Sequence, residues 1–173
     1  MQAEPEEIIW TGQFVTAKRR GKWEYVTRSR GIKAAVILAV EDGHVLLVEQ
    51  YRVPLGSNCL ELPAGLIGDH DANEGMFESA ARELEEETGY RADRLEDLGA
   101  YYSSPGMLGE SFNLVRARGL THVSEGGGVD GEDIIVHRVK LTRLAAFIVA
   151  KREEGCAIDA KLLMVPGMLQ AEL

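Results

Sequence analysis

The sequence has little of what marks several large classes of protein. Only 6% of its 173 residues are aromatic, and it has two cysteines, Cys59 and Cys156, which lie far apart. Two such thiols do not make a disulfide framework, which favours a reducing compartment. No apolar run approaches the roughly 18–20 residues that span a bilayer, and the first residues lack the apolar centre of a signal peptide. We therefore expect a cytoplasmic protein without a membrane partner.

Positive charge is also scarce. Lysine and arginine number 19 against 28 aspartates and glutamates, which gives a net charge of −9. Binding to nucleic acid requires a basic face, so this balance argues against a nucleic-acid partner. The apolar content of 45% and charged content of 27% are ordinary for a folded domain. An acidic protein that acts on an anionic substrate needs a metal ion or a few well-placed arginines.

The periodicity of apolar residues predicts an α+β fold. One helix over 73–88 divides two β-rich regions, and Gly89 ends it in the usual C-terminal position. The predicted strands are 7–15, 23–29, 33–40, 44–52, 59–64, 94–103, 110–117 and 133–140, with a turn over 18–21. Two helices over 142–153 and 158–171 close the chain, and Pro166 is expected to kink or split the second. The order of elements favours a sandwich over a doubly wound sheet.

The central helix carries a cluster of carboxylates. Glu83, Glu86 and Glu87 are three and four positions apart and therefore share one face. Its apolar face is predicted to be Phe77, Ala80, Ala81, Leu84 and Thr88. Like charges at this spacing cost roughly 0.2–0.5 kcal/mol per pair, and the helix dipole disfavours anions near the C-terminal end. A bound Mg²⁺ or Mn²⁺ explains such a cluster, and a solvated acidic face is the alternative.

The neighbourhood of the cluster resembles a known signature. The pattern G-x5-E-x7-R-E-L-x-E-E-x-G-Y over 68–90 is similar to the Nudix box of Mg²⁺-dependent hydrolases, which cleave nucleoside diphosphates linked to another moiety. Tyr90 departs from it, since the family usually has an aliphatic residue there. The box glycine is either Gly68 or Gly65, the latter followed by a longer loop. Arg82 is expected to pair with Glu74 or Glu78.

The resemblance extends over about 20–165, to the ADP-ribose pyrophosphatase subfamily. It rests on four stretches: Glu49–Arg52 followed by Glu61–Gly65, Ser103–Gly106 with Pro105 fifteen residues after Tyr90, and Glu132–Ile134. It implies a Nudix-type α/β/α sandwich over 31–173, preceded by a small β-region over 1–30. In the subfamily, such N-terminal strands pack against a partner subunit, so the resemblance implies a homodimer with shared sites.

The resemblance also implies a set of site residues. The metal ligands would be the Ala64 carbonyl, Glu83, Glu86, Glu87 and Glu132, and the catalytic residues Glu86 and Glu132. Asp130 is a less secure candidate for the base. The substrate-binding residues would be Trp23, stacked on the base, with Arg28, Arg52, Gly106 and Glu110. Each has a plainer alternative, such as a core aromatic, a surface charge or a turn. The glycine-rich loop 124–133 is suited to closing over a substrate.

The implied reaction is hydrolysis of ADP-ribose to AMP and ribose 5-phosphate with Mg²⁺, or Mn²⁺ in its place. GDP-mannose or another nucleoside diphosphate sugar is the nearest alternative substrate, because the same scaffold serves it. A catalytically silent binding or regulatory module with the Nudix fold is the alternative from a different class. That module would be expected to have broken box carboxylates or an added DNA-binding domain, and the sequence has neither.

Overall fold

We describe a computed structural model that covers residues 4–29, 31–68, 71, 73–129 and 131–170, with the backbone alone at residue 170. The strands of its first half are β1 Glu6–Thr11, β2 Val15–Arg20, β3 Trp23–Arg28, β4 Ala34–Glu41, β5 His44–Arg52, β6 Ser57–Glu61 and β7 Ala64–Leu66. Helix α1 (Met76–Thr88) follows, and then come β8 Tyr90–Tyr101, β9 Phe112–His122, β10 Ile135–Lys140, α2 Leu144–Glu153, β11 Ala157–Ile158 and α3 Met164–Gln170. Short 3-10 helices, Leu141–Arg143 and Ala160–Leu163, precede α2 and α3.

The first three strands form a small antiparallel sheet of their own in the order β1-β2-β3. The sequence predicted one strand over 7–15, which was wrong, and a turn over 18–21, of which only the last residue lies in the observed turn. A tight turn at Gly12, whose N–H donates to the Val15 carbonyl over 2.8 Å, divides that segment into two strands. The second strand runs on through residue 20, and the reversal occurs at Gly21, whose φ of +58° suits glycine.

The larger sheet has eight strands with the central order β11-β6-β5-β4-β9-β8, while β10 pairs with β5 and β7 with β4. Strand β4 lies parallel to β9, and its side chains alternate between two apolar layers. Ala35, Ile37 and Ala39 pack on one side with Ala80 and Leu84 of α1. The residues between them pack on the other side, against α2, α3 and the C-terminal segment. The predicted α/β/α sandwich is therefore observed.

Helix α1 begins at Met76, three residues later than predicted, and its N-terminal N–H groups are capped locally. The Gly75 N–H donates to Glu78 Oε2 over 2.7 Å. The predicted apolar face is confirmed in part. Ala80 is fully buried as predicted, whereas Ala81 is only half-buried and Phe77 is 43% exposed. Leu84 and Thr88 are buried as predicted, so the carboxylate face of α1 turns toward β7.

A buried charge network attaches α2 to the sheet. Glu49 on β5 accepts hydrogen bonds from Asn58, His137 and Lys151 at 2.9–3.1 Å. Burial opposes the ionisation of Glu49, but these donors outweigh it and lower its pKa to about 2. The predicted final helix is divided at residue 164, and Pro166 lies in the first turn of α3, where a missing N–H is tolerated. None of the helices in the described part of the chain combines the length and apolar character needed to cross a bilayer.

Candidate active site

The carboxylate face of α1 borders a cleft of about 260 Å³. Three parts of the fold build it: the end of β5, strand β7 with its flanking residues, and the glycine-rich loop before β10. Its lining residues are Gln50, Arg52, Ala64, Gly65, Leu66, Glu83, Glu86, Glu87, Val129 and Glu132. All five residues predicted as metal ligands therefore line one cleft, although they come from three separate segments of the chain.

Glu87 is the most buried carboxylate of the cleft, with 5% of its surface exposed. Its Oε2 accepts a hydrogen bond of 3.0 Å from the Ala64 N–H. Burial is the main cause that raises the pKa of Glu87 to about 8; the Ala64 N–H opposes the rise, and the nearby charges of Glu83 and Glu132 add to it. A carboxylate held in this way favours a neighbouring cation, because a cation stabilises the ionised form.

Glu83 lies directly against the backbone of β7. A Cβ atom on Gly65 would approach the Glu83 carboxylate carbon to 2.0 Å, so only glycine admits this contact. Burial also raises the pKa of Glu83, against the opposing effect of Arg82. Gly68, the other candidate for the box glycine, has a φ of +78° in the following turn. The two glycines therefore have different tasks: Gly65 accommodates a carboxylate, and Gly68 turns the chain.

Arg82 holds the carboxylates of α1 in place. Its Nε donates to Glu74 over 2.9 Å, and one terminal nitrogen donates to Glu83 and Glu86 over 3.0 and 2.8 Å. The sequence analysis expected a pairing with Glu74 or Glu78. Glu74 is the partner, while Glu78 accepts from the backbone at the start of the helix instead. The guanidinium thus balances part of the negative charge that three nearby carboxylates create.

The glycine-rich loop is docked on the C-terminal end of α1. The N–H groups of Gly127 and Gly128 donate to the carbonyls of Glu87 and Glu86, each over 2.9 Å. These carbonyls have no partner within the helix, so the loop takes over the role of a cap. A Cβ on Gly126 would come within 2.5 Å of the Thr88 carbonyl carbon. This close packing brings Glu132 of the same loop to the cleft.

The chemistry of the donors suits a hard divalent cation. Carboxylate oxygens are the ligands that Mg²⁺ prefers, and four glutamates line the cleft. Among the described residues, no three acidic, histidine or cysteine side chains converge closely enough to enclose an ion by themselves. Arg82 is ion-paired with Glu83 and Glu86 in this arrangement. The residues fit a metal site that a cation would complete.

A second cavity of about 320 Å³, which we call the groove, continues from the cleft. The two share Arg52, Ala64, Gly65 and Leu66. The groove adds residues from the N-terminal sheet, the 103–112 segment and the C-terminal segment. These further lining residues are Arg28, Ala34, Val36, Glu61, Ser103, Glu110, Phe112 and Lys161. The combined cavity has acidic groups at one end and a mixture of cations and anions at the other.

Two arginines of the groove are held by carboxylates. Arg52 donates from Nε and a terminal nitrogen to both oxygens of Glu61, over 2.6 and 2.7 Å. Arg28 on β3 donates to Glu110 over 3.0 Å, and its buried Nε has no hydrogen-bond partner among the described residues. Arg28, Arg52 and Glu110 were predicted to bind substrate, and the fold brings them into the same groove.

Trp23 and Gly106 do not line these cavities in the single chain. Trp23 is 60% exposed at the start of β3, beside Arg20, Gly21 and Lys22. Gly106 is exposed in the loop after β8. Their roles in substrate binding stay predictions. Asp130, the alternative base, lies outside the described residues.

Sequence reasoning missed several lining residues. Glu61 falls within the Glu61–Gly65 stretch on which the resemblance rests, so the sequence already indicated that it lies near the site. Gln50, Ser103 and Val129 stand beside or within stretches that were identified. Lys161 had no signal, because it lies on a segment that only the tertiary structure returns to the groove.

Comparison with known proteins agrees with this architecture. The family model for the NUDIX domain matches residues 29–155. ADP-sugar pyrophosphatase of Mus musculus is 49% identical over 187 aligned positions, covering 91% of this chain and 82% of the mouse protein. ADP-ribose pyrophosphatase of Bacillus subtilis is 35% identical and covers 79% and 70%. GDP-mannose pyrophosphatase of Cronobacter sakazakii is 32% identical and covers 82% and 74%.

A solved structure described as an ADP compounds hydrolase superposes with a TM-score of 0.73 and covers 99% of this chain and 95% of its own. Its sequence identity of 24% supports the fold alone.

Proposed function

The chain belongs to the Nudix family of pyrophosphohydrolases, and we propose that it hydrolyses the diphosphate of an ADP-sugar, namely ADP-ribose, to AMP and ribose 5-phosphate. One observation carries the proposal: the carboxylate cleft of α1 opens directly into a groove that contains two arginines and Lys161. The two compartments match the two needs of such a substrate, a diphosphate that requires cations and a sugar rich in hydroxyl groups.

The cleft is proposed to hold the diphosphate. Glu83, Glu86, Glu87 and Glu132, with Ala64, would hold one or more divalent cations. Such cations supply charge neutralisation and acidify a bound water molecule. Within this arrangement, Arg82 keeps the carboxylates of α1 oriented, and the Ala64 N–H fixes Glu87.

Glu132 is proposed as the group that removes the proton from the attacking water. Its loop is docked on α1, and Glu132 lines the cleft together with the carboxylates of that helix. As the water oxygen bonds to phosphorus, the bridging P–O bond breaks and the leaving phosphate keeps the electron pair. Arg52 lines both compartments and donates to the phosphate oxygens from its one terminal nitrogen that Glu61 does not occupy.

A homodimer is the proposed assembly. The N-terminal sheet exposes large apolar side chains, including Ile8 at 66%, Trp10 at 57% and Phe14 at 72%. An apolar face of this kind marks an interaction site. A second copy of the chain would cover it and would bring Trp23 toward the site as the platform for the base. Sedimentation at micromolar concentration tests this, with Phe14→Asp as the disrupting variant; a monomeric wild-type protein would refute it.

The activity test is one incubation with Mg²⁺ and a panel of ADP-ribose, GDP-mannose, ADP-glucose and NADH, with the products separated by chromatography. We expect preferential release of AMP from ADP-ribose and no turnover in EDTA. Preferential release of GMP from GDP-mannose would keep the chemistry and overturn the substrate. No turnover with either Mg²⁺ or Mn²⁺ would contradict the proposal.

Two matched variants of α1 locate the chemistry. Glu86→Gln removes a carboxylate from the cleft, and Glu85→Gln removes one from the exposed side of the same helix, where it pairs with Arg91. We expect the first to lower kcat by more than roughly ten-fold and the second to leave it unchanged. Equal activity of both variants would remove the basis for the metal assignment.

A further inference from the structure

Lys161 reaches the groove from outside the region that the family model covers. It lies on the 3-10 helix Ala160–Leu163, beyond the matched residues 29–155. Nevertheless it lines the groove together with Arg28, Arg52, Ser103 and Glu110. The C-terminal segment therefore supplies part of the wall of the proposed substrate site.

The fold fixes this lysine firmly. The next residue, Leu162, is fully buried in the core, and Val165 is 1% exposed. Asp159 caps the 3-10 helix by accepting from the Lys161 N–H over 2.8 Å, and its other oxygen pairs with Nζ. The ammonium also lies 5.6 Å from the centre of the Phe112 ring, within the range of a cation–π contact. A lysine restrained in this way loses little further freedom when it binds a ligand.

The ammonium group keeps capacity for a ligand. It has three N–H donors, and the described residues offer it one ion pair, with Asp159. By comparison, two nitrogens of Arg52 already donate hydrogen bonds to Glu61. A side chain that is one-fifth exposed in a cavity wall retains access to whatever fills the cavity.

The position of Lys161 indicates which part of the substrate it contacts. It lines the groove but not the carboxylate cleft, so it faces what extends beyond the metal-bound diphosphate. The groove offers acceptors from Glu61 and Glu110 as well as donors. This mixture suits the terminal ribose, whose hydroxyl groups both donate and accept, better than a purine base, which requires a flat apolar surface.

We propose that Lys161 is a specificity-determining residue that binds the sugar-phosphate half of the substrate. Its ammonium donates hydrogen bonds to hydroxyl oxygens of the terminal ribose. This inference rests on the proposed function and deepens it, because it assigns one product to the groove.

The test compares Lys161→Met, which keeps the length of the apolar stem, with Lys161→Arg, which keeps the charge. The control is Lys140→Met, at the exposed end of β10. We expect Lys161→Met to raise KM for ADP-ribose by roughly ten-fold or more with kcat within about two-fold, since a charge-assisted hydrogen bond is lost. Inhibition by ribose 5-phosphate should weaken to the same extent, while inhibition by AMP stays unchanged. Lys161→Arg should restore most of the affinity.

Several outcomes would overturn the inference. Unchanged KM and unchanged inhibition by ribose 5-phosphate would leave Lys161 a purely structural residue. Selective loss of AMP inhibition would place the nucleotide, not the sugar, in the groove. A fall in kcat that parallels a lower melting temperature would assign the effect to folding. Failure of the proposed function is distinguishable, because then the wild-type protein itself does not hydrolyse ADP-ribose.

Discussion

Replacing Glu87 with glutamine should stabilise the metal-free protein, and the gain should grow with pH. The carboxyl group is buried beside Glu83 and Glu132, and its pKa is raised from an ordinary 4.5 to about 8. Glutamine has the same shape and keeps an oxygen that accepts from the Ala64 N–H. The substitution therefore removes the ionisation and leaves the packing in place.

The magnitude follows from the two pKa values. A raised pKa means that the folded state binds the proton more tightly than the unfolded chain, so the free energy of unfolding falls as pH rises from 4.5 to about 8. At about 1.36 kcal/mol per unit, the ceiling of this loss is about 5 kcal/mol. The variant has no ionisable group at this position, so its free energy of unfolding does not show this decrease with pH. Below pH 4.5 both proteins carry a neutral group there, and they should be equally stable.

The assay is urea denaturation in EDTA at several pH values between 5 and 8.5, with Glu85→Gln as the control on the exposed side of α1. The difference between Glu87→Gln and wild type should reach a few kcal/mol at pH 8.5 and shrink toward pH 5. Added Mg²⁺ should stabilise the wild-type protein and do little for the variant, because binding to the folded state alone raises stability. A pH-independent difference, or a variant less stable than wild type at pH 8.5, would refute the account of Glu87.

Three further substitutions test other parts of the structure. Gly126→Ala should lower kcat by at least roughly ten-fold, because the new Cβ forces the loop off α1 and displaces Glu132. The control is Gly167→Ala, whose new Cβ meets open space. A normal kcat in both variants would refute the role of the docked loop. Gly65→Ala should weaken activation by Mg²⁺, since it displaces Glu83; an unaltered Mg²⁺ titration would contradict this. Glu49→Gln should lower the free energy of unfolding at pH 7 by roughly 1–3 kcal/mol, because Lys151 loses its ion pair with buried Glu49 and keeps the one with exposed Glu154. The stability that Glu49 confers is present above pH 4.5 and is lost as pH falls toward 2. The free energies of unfolding of the two proteins, measured by urea denaturation, should therefore become equal in acid. A difference between them that does not change with pH would count against the network.

The sequence was informative where a short stretch of chain carries its own geometry. The spacing of Glu83, Glu86 and Glu87 places them on one face of any helix. Gly89 ends the helix with a φ of +75°, a conformation that favours glycine. The apolar run over 33–40 likewise predicted a strand, and β4 is buried on both faces. Its errors were also local. Because β1 is exposed along its whole length, the apolar pattern was no guide to the turn at Gly12.

Sequence alone determined that this is an acidic α+β protein with a carboxylate-bearing helix and the Nudix box. Tertiary structure decided which groups meet that helix. The contact of Gly65 with Glu83, the docking of Gly126 on α1 and the arrival of Lys161 in the groove each join segments distant in sequence. No periodicity records such contacts, because they depend on how separate elements pack around the two apolar layers. Helix α1 supplies three of the carboxylates, and tertiary packing brings the other lining residues of the cleft to them.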